Sequence, residues 1–176
     1  MARSNVDLHR LPVGPRPPEV VNAIIEIPRG GSNKFEYDTT LGVFRLDRVL
    51  YSAVHYPAAY GFIPSTLADD GDAVDILVLT TEPTFTGALI EARPVGMLRM
   101  RDEAGEDEKV LSVPIVDPRF AQVRELEDVP PHLLREIEHF FRIYKDLEGK
   151  QVETFGWEGR ADAEALIMRS IEAHPA

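Results

Sequence analysis

From residue 20 to Pro130 the apolar residues of this chain fall in strand-length runs broken by Gly and Pro, and helical spacing appears only afterwards. Many short strands followed by two late helices restrict the fold to the α+β class, with the helices laid on a sheet that precedes them. Residues 20–27 read as a strand stopped by Pro28 and followed by the turn-formers Gly30, Gly31, Ser32 and Asn33. Residues 34–38 alternate, with Lys34, Glu36 and Asp38 on one face and Phe35 and Tyr37 on the other. A strand over 42–50 carries Arg45 and Arg48, which simple alternation places on opposite faces. The segment YPAAYGFIPSTL is aromatic and interrupted by Pro, and it contributes Tyr56 and Tyr60. Residues 88–101 and 109–115 form two strands joined by DEAGEDE, with Gly105 at the turn. Pro130 and Pro131 open a helix whose stripe of Leu133, Leu134, Ile137, Phe140, Phe141 and Tyr144 ends near Gly149. A last strand over 151–157 and a last helix over 162–173 complete the chain. The favoured architecture is a small closed antiparallel β-barrel with flanking C-terminal helices.

The chain's chemistry is most legible in LADDGDAVDILVLT, where Asp70, Asp72 and Asp75 stand before the buried strand Ile76, Leu77, Val78 and Leu79. Carboxylates so close repel one another unless a cation sits among them, and Mg²⁺ or Mn²⁺ prefers such oxygen ligands. Gly71 gives the loop the freedom to turn its acids toward one centre. A lone Asp-Gly is most often a solvated turn. A helix-loop-helix calcium site is excluded because Thr81 or Pro83 stands where its closing Glu would be needed. What favours a metal is a second acidic cluster, Asp102, Glu103, Glu106, Asp107 and Glu108, at the later hairpin. Taken alone, those acids would be an ordinary solvated hairpin tip.

With 176 residues and 44% hydrophobic content the chain suits one domain, 1–176, with 1–19 as an extended, Pro-rich lead-in. A net charge of -11 disfavours nucleic acid and anionic membrane surfaces as partners, so an anionic substrate needs a local basic lining or bound cations. The chain has no Cys, which removes thiolate catalysis and zinc-thiolate sites. No signal-peptide core or bilayer-length apolar run is present, and a cytoplasmic location is expected. The five His residues show no metal-site spacing, and none is given a catalytic part.

Two acid clusters, scattered Lys and Arg, and several Tyr suit phosphate chemistry, in which cations and phenols hold phosphate oxygens. In order and interval, EIPRGGSNKFEYD, LDRVLYSAVHYPAAYGFIPSTL, DGDAVDILVL, RPVGMLRMRDEAGEDEKVLSVP and HFFRIYKDLE closely resemble the soluble family I inorganic pyrophosphatases of bacterial type, over about residues 20–157. The resemblance implies an OB-like barrel and Mg²⁺-dependent hydrolysis of pyrophosphate to two orthophosphates by an inorganic diphosphatase. It implies several Mg²⁺ ions per subunit, with Mn²⁺ or Zn²⁺ as substitutes, and a homohexamer.

Carried over position by position, the resemblance gives Asp70, Asp75 and Asp107 the main activating metals, with Asp75 shared. Asp102 joins Asp107 on metal arriving with substrate, and Glu26 and Glu36 line the acidic side. Asp72 would accept a proton from the attacking water. Lys34, Arg48, Tyr60, Lys109, Tyr144 and Lys145, with Tyr56 nearby, match phosphate-binding positions. Two residues depart from the family pattern: Ala73 replaces the usual Pro of DGDPxD, which removes a fixed φ, and Ala59 replaces a frequent polar residue before Tyr60. Rival readings are a nucleotide or polyphosphate hydrolase, for which no P-loop is present, and an OB-type binding module, which would need a basic groove.

Overall fold

In the computed structural model of the protein, which describes residues 6–175, five strands close into a ring. They are β1 (Val21–Ile27), β4 (Ala59–Phe62), β5 (Asp75–Val78), β7 (Gly105–Pro114) and β6 (Leu89–Asp102), and β6 pairs back with β1. Strand β8 (Glu153–Gly159) adds to the outer edge of β6, while β2 (Asn33–Asp38) and β3 (Val43–Val49) form a separate hairpin. Helices α1 (Pro131–Ile143) and α2 (Arg160–Ala173) follow, as the spacing predicted.

This α+β, OB-like arrangement agrees with expectation except in one pairing. The ring is mixed, because β5 runs parallel to β7, with Asp75 opposite Lys109 and Ile76 opposite Val110. Burial on both faces explains the uninterrupted apolar run of β5. Leu77, Leu98, Leu111 and Met100 pack with Ile137, Phe140 and Phe141 of α1, whereas Ile76, Val78, Met97 and Val110 pack with Ala163, Leu166 and Ile167 of α2.

Three elements differ from the sequence expectation. The aromatic stretch forms strand β4 because it is squeezed between β1 and β5: a Cβ on Gly61 would lie 1.8 Å from the Ile24 carbonyl oxygen, so only Gly permits that approach. The β6–β7 hairpin is longer than expected and turns through Glu103 and Ala104, so most of the acidic segment is strand. A register shift in the β2–β3 hairpin leaves Asp47 unpaired, with Lys34 opposite Arg48 and Glu36 opposite Arg45. Cross-strand partners share a face, so this bulge returns Arg48 to the side of Lys34 and Glu36 instead of setting it opposite Arg45.

The lead-in is partly built into the fold. Residues 1–5 of it lie outside the described residues, but Asn22 N–H donates to the Val13 carbonyl at 2.6 Å and Ser65 N–H to that of His9 at 2.8 Å. Thr66, itself buried, fixes the far end of the Asp loop: its hydroxyl donates to the Ile63 carbonyl at 2.6 Å and accepts from Val74 N–H at 3.0 Å. Thr66→Val would leave both backbone groups buried and unpaired, so a denaturant titration is expected to show a loss of about 2 kcal/mol. An unchanged midpoint would mean that the loop does not depend on this tie.

Candidate active site

Strand register explains how distant acids and bases meet. Asp75 opens β5 and pairs across the parallel ladder with Lys109, while Asp107 stands two residues before Lys109 on the same face of β7. The Lys109 ammonium bonds both carboxylates, at 2.5 Å to Asp107, and lies 3.4 Å from the Tyr60 hydroxyl on β4. Lys109 is only 3% exposed. Burial alone would lower its pKa, but Asp75 and Asp107 raise it well above the ordinary lysine value, so it stays cationic.

The same alternation sorts the hairpin acids. Asp107 faces Lys109, while Glu106 pairs outward with Arg101. At the other side of the turn, Asp102 accepts from Lys145 Nζ at 2.7 Å and from Ala104 N–H at 2.8 Å. Burial acts against its ionisation, but these two donors hold its pKa below the usual range. Lys145 and Tyr144 stand just past α1, where a 3-10 turn (Asp146–Glu148) ends on Gly149 with φ 71.

From the hairpin side, Lys34 Nζ bonds Glu36 at 2.5 Å, and Arg48 Nη1 donates to Glu148 at 2.8 Å. Glu26 on β1 accepts from Tyr37 N–H at 3.0 Å, and burial, aided by Asp75 and Glu36, pushes its pKa up to about 8. In the Asp loop, Gly71 takes φ 92 and Asp70 accepts from Asp72 N–H at 3.0 Å. Burial, then Asp70 and Asp75, raise the pKa of Asp72.

These groups line one cleft of about 310 Å³. Glu26, Lys34, Glu36, Arg48, Tyr56, Tyr60, Asp70, Asp72, Asp75, Asp102, Asp107, Lys109, Tyr144 and Lys145 all border it, so the structure brings together every site residue expected from sequence. His9, given no catalytic part from the sequence, stacks on Phe62 at 4.2 Å between ring centroids and also borders the cleft. No local signal marks it, since its place depends on how the lead-in folds back. Ala59 is fully buried among Val21, Ala23 and Ile76, on the strand face away from Tyr60. A hydrogen bond missing there therefore has no direct route to the cleft. A larger open groove of about 850 Å³, between the end of α1 and β8, shares only Asp102 with this set.

The acids fit hard cations in kind, being all-oxygen donors crowded beyond what the lysines neutralise. Among the described residues no three acidic or His side chains are already gathered as a metal cage. Each is turned to another donor: Asp75 and Asp107 to Lys109, Asp102 to Lys145, Glu36 to Lys34, and Glu26 and Asp70 to backbone N–H groups. Burial first, and neighbouring carboxylates after it, raise the pKa values of Glu26, Asp72 and Asp107.

The comparisons with known proteins agree with this geometry. A family model described as inorganic pyrophosphatase matches residues 23–174, which carries the likeness past residue 157 and through α2. The chain is 52% identical over 169 residues to an inorganic pyrophosphatase of Nostoc sp., covering 96% of this chain and 99% of the relative. It is 54% identical over 153 residues to that of Geobacillus stearothermophilus, covering 87% and 93%. The crystal structure of inorganic pyrophosphatase from Thermus thermophilus superposes with a TM-score of 0.93 at 48% identity, covering 96% of this chain and 98% of that one. A cleft of this composition, on this ring of strands and with likeness over nearly the whole length, goes with membership of the inorganic pyrophosphatase family, to which the chain belongs.

Proposed function

We propose that the cleft hydrolyses inorganic pyrophosphate to two orthophosphates with Mg²⁺ held by Asp70, Asp75, Asp107, Asp102, Glu26 and Glu36. Bound divalent cations neutralise phosphate oxygens and acidify the attacking water. The observation that supports the reading is that one cleft gathers these carboxylates together with Lys34, Arg48, Lys109, Lys145 and three phenols, acids and bases interleaved along its lining. Lys109 and Lys145 have raised pKa values and remain cationic toward phosphate. Burial raises the pKa of Tyr56, Tyr60 and Tyr144, so they stay neutral and offer hydroxyl donors where phenolates would repel the substrate. Asp72, at the rim beside Asp70 and Asp75, accepts the proton that the water loses.

Phosphate release from pyrophosphate is expected to be rapid with Mg²⁺ and at background level with a chelator, with ATP turned over far more slowly. Equal turnover of ATP would favour the nucleotide hydrolase, and release unaffected by chelation would overturn the metal role. The same reading takes 1–176 as one domain, working in the cytoplasm as a homohexamer with Mn²⁺ or Zn²⁺ able to substitute. Family resemblance supports these last points. Among the described residues no helix is long and apolar enough to cross a membrane.

A further inference from the structure

Among the described residues, the ion-pair partners of Arg48, Glu148 and Asp47, both lie outside the set of acids assigned to metal, whereas Lys34, Lys109 and Lys145 each bond at least one acid of that set. Arg48 Nη1 donates at 2.8 Å to Glu148, a residue one hundred positions away in the chain, whose side chain is 8% exposed. Glu148 belongs to the 3-10 turn that follows Tyr144 and Lys145, and that turn is closed by Glu148 N–H on the Lys145 carbonyl at 3.0 Å and Gly149 N–H on that of Asp146 at 3.0 Å. The turn therefore fixes three groups at once: the phenol, the lysine and the carboxylate that holds the arginine.

A carboxylate beside a phosphate-binding arginine weakens the attraction the arginine exerts on an anion. Its presence calls for a compensating effect. Arg48 reaches the cleft from a bulged, mostly exposed hairpin strand; its Nε is buried without a hydrogen-bond partner among the described residues, with Asp47 3.9 Å away. A guanidinium on such a strand has many rotamers, and tying one nitrogen leaves the rest of the planar fork aimed in a fixed direction. We propose that Glu148 is a positioning residue for the hydrolysis, holding Arg48 in the orientation that receives a phosphate group. The inference rests on the pyrophosphatase reading above.

Steady-state kinetics of Glu148→Ala, Glu148→Gln, Arg48→Ala and the Glu148→Ala, Arg48→Ala pair test it, with thermal unfolding of each. Loss of a hydrogen bond between charged groups gives an expected rise of about tenfold in KM for pyrophosphate in Glu148→Ala. Glu148→Gln keeps an acceptor for Nη1 and is expected to restore KM to within about threefold of the parent. In the Arg48→Ala background, removing Glu148 is expected to change KM no further. Parental KM in Glu148→Ala, or the same loss with and without Arg48, overturns the positioning role while leaving the pyrophosphatase reading intact. A parent protein without pyrophosphatase activity overturns both.

Discussion

Replacing Lys109 by Met is expected to lower the stability of the metal-free protein by about 3 kcal/mol, the lower end of the cost of breaking a buried ion pair. The Lys109 side chain is 4% exposed and lies between Asp75 at 25% and Asp107 at 13%. Without the ammonium, two carboxylates face each other with little water to screen them. Partial hydration of both is why the lower end applies. The loss should depend on pH: burial already raises the pKa of Asp107, and losing the ammonium that opposes this raises it further, so the penalty is present at neutral pH and shrinks as pH falls toward the unfolded carboxylate range. Mg²⁺ should restore much of the stability, because a divalent cation can replace the ammonium between the same oxygens. Activity is expected to fall even when stability returns, since Lys109 also lines the cleft proposed to receive pyrophosphate. Denaturant titrations with chelator and with Mg²⁺ separate these effects; an equal loss in both would mean that Lys109 contributes packing alone and that Asp75 and Asp107 do not bind the cation.

Lys109 also shows how far the sequence can be read. Strand-length runs and the late helical stripe locate most elements, because periodicity is local. The convergence of Asp75, Asp107 and Lys109 was expected through family likeness, whereas its physical cause is a parallel ladder between strands separated in sequence by β6, and no local pattern shows that. Arg48 is the sharper case. Alternation sets it opposite Arg45, and one bulged residue, Asp47, reverses the outcome. Strand β4 was hidden for a related reason: its Gly61 and flanking prolines look like loop chemistry, but the close approach of β1 is what requires the glycine. The places of Glu148 and His9 were illegible because each meets its neighbours, Arg48 for the one and Phe62 and Tyr37 for the other, only through tertiary contacts.

Asp72→Asn is expected to reduce turnover by roughly 10²–10⁴-fold, the range of general-base catalysis, while leaving the fold and cation binding in place. The loop geometry runs through backbone groups that Asn keeps, namely Asp72 N–H to the Asp70 carboxylate at 3.0 Å and Ala68 N–H to the Asp72 carbonyl at 2.7 Å. The charge of Asp72 is opposed by burial and by Asp70 and Asp75, so its removal should if anything stabilise the metal-free protein at neutral pH. Asp75→Ala makes the contrast: it should weaken Mg²⁺ binding in calorimetry, whereas Asp72→Asn should bind Mg²⁺ as the parent does. The parent's activity must also fail on the acid side, because a base must be ionised to accept a proton. Cations at Asp70 and Asp75 cancel the repulsion that raises the pKa of Asp72, so that acid limb should move to lower pH as Mg²⁺ is increased. Near-parental turnover in Asp72→Asn would remove Asp72 from the proton-accepting role. Turnover lost in step with Mg²⁺ affinity would instead make it a metal ligand, and the proton would then have to leave through another group on the rim of the cleft.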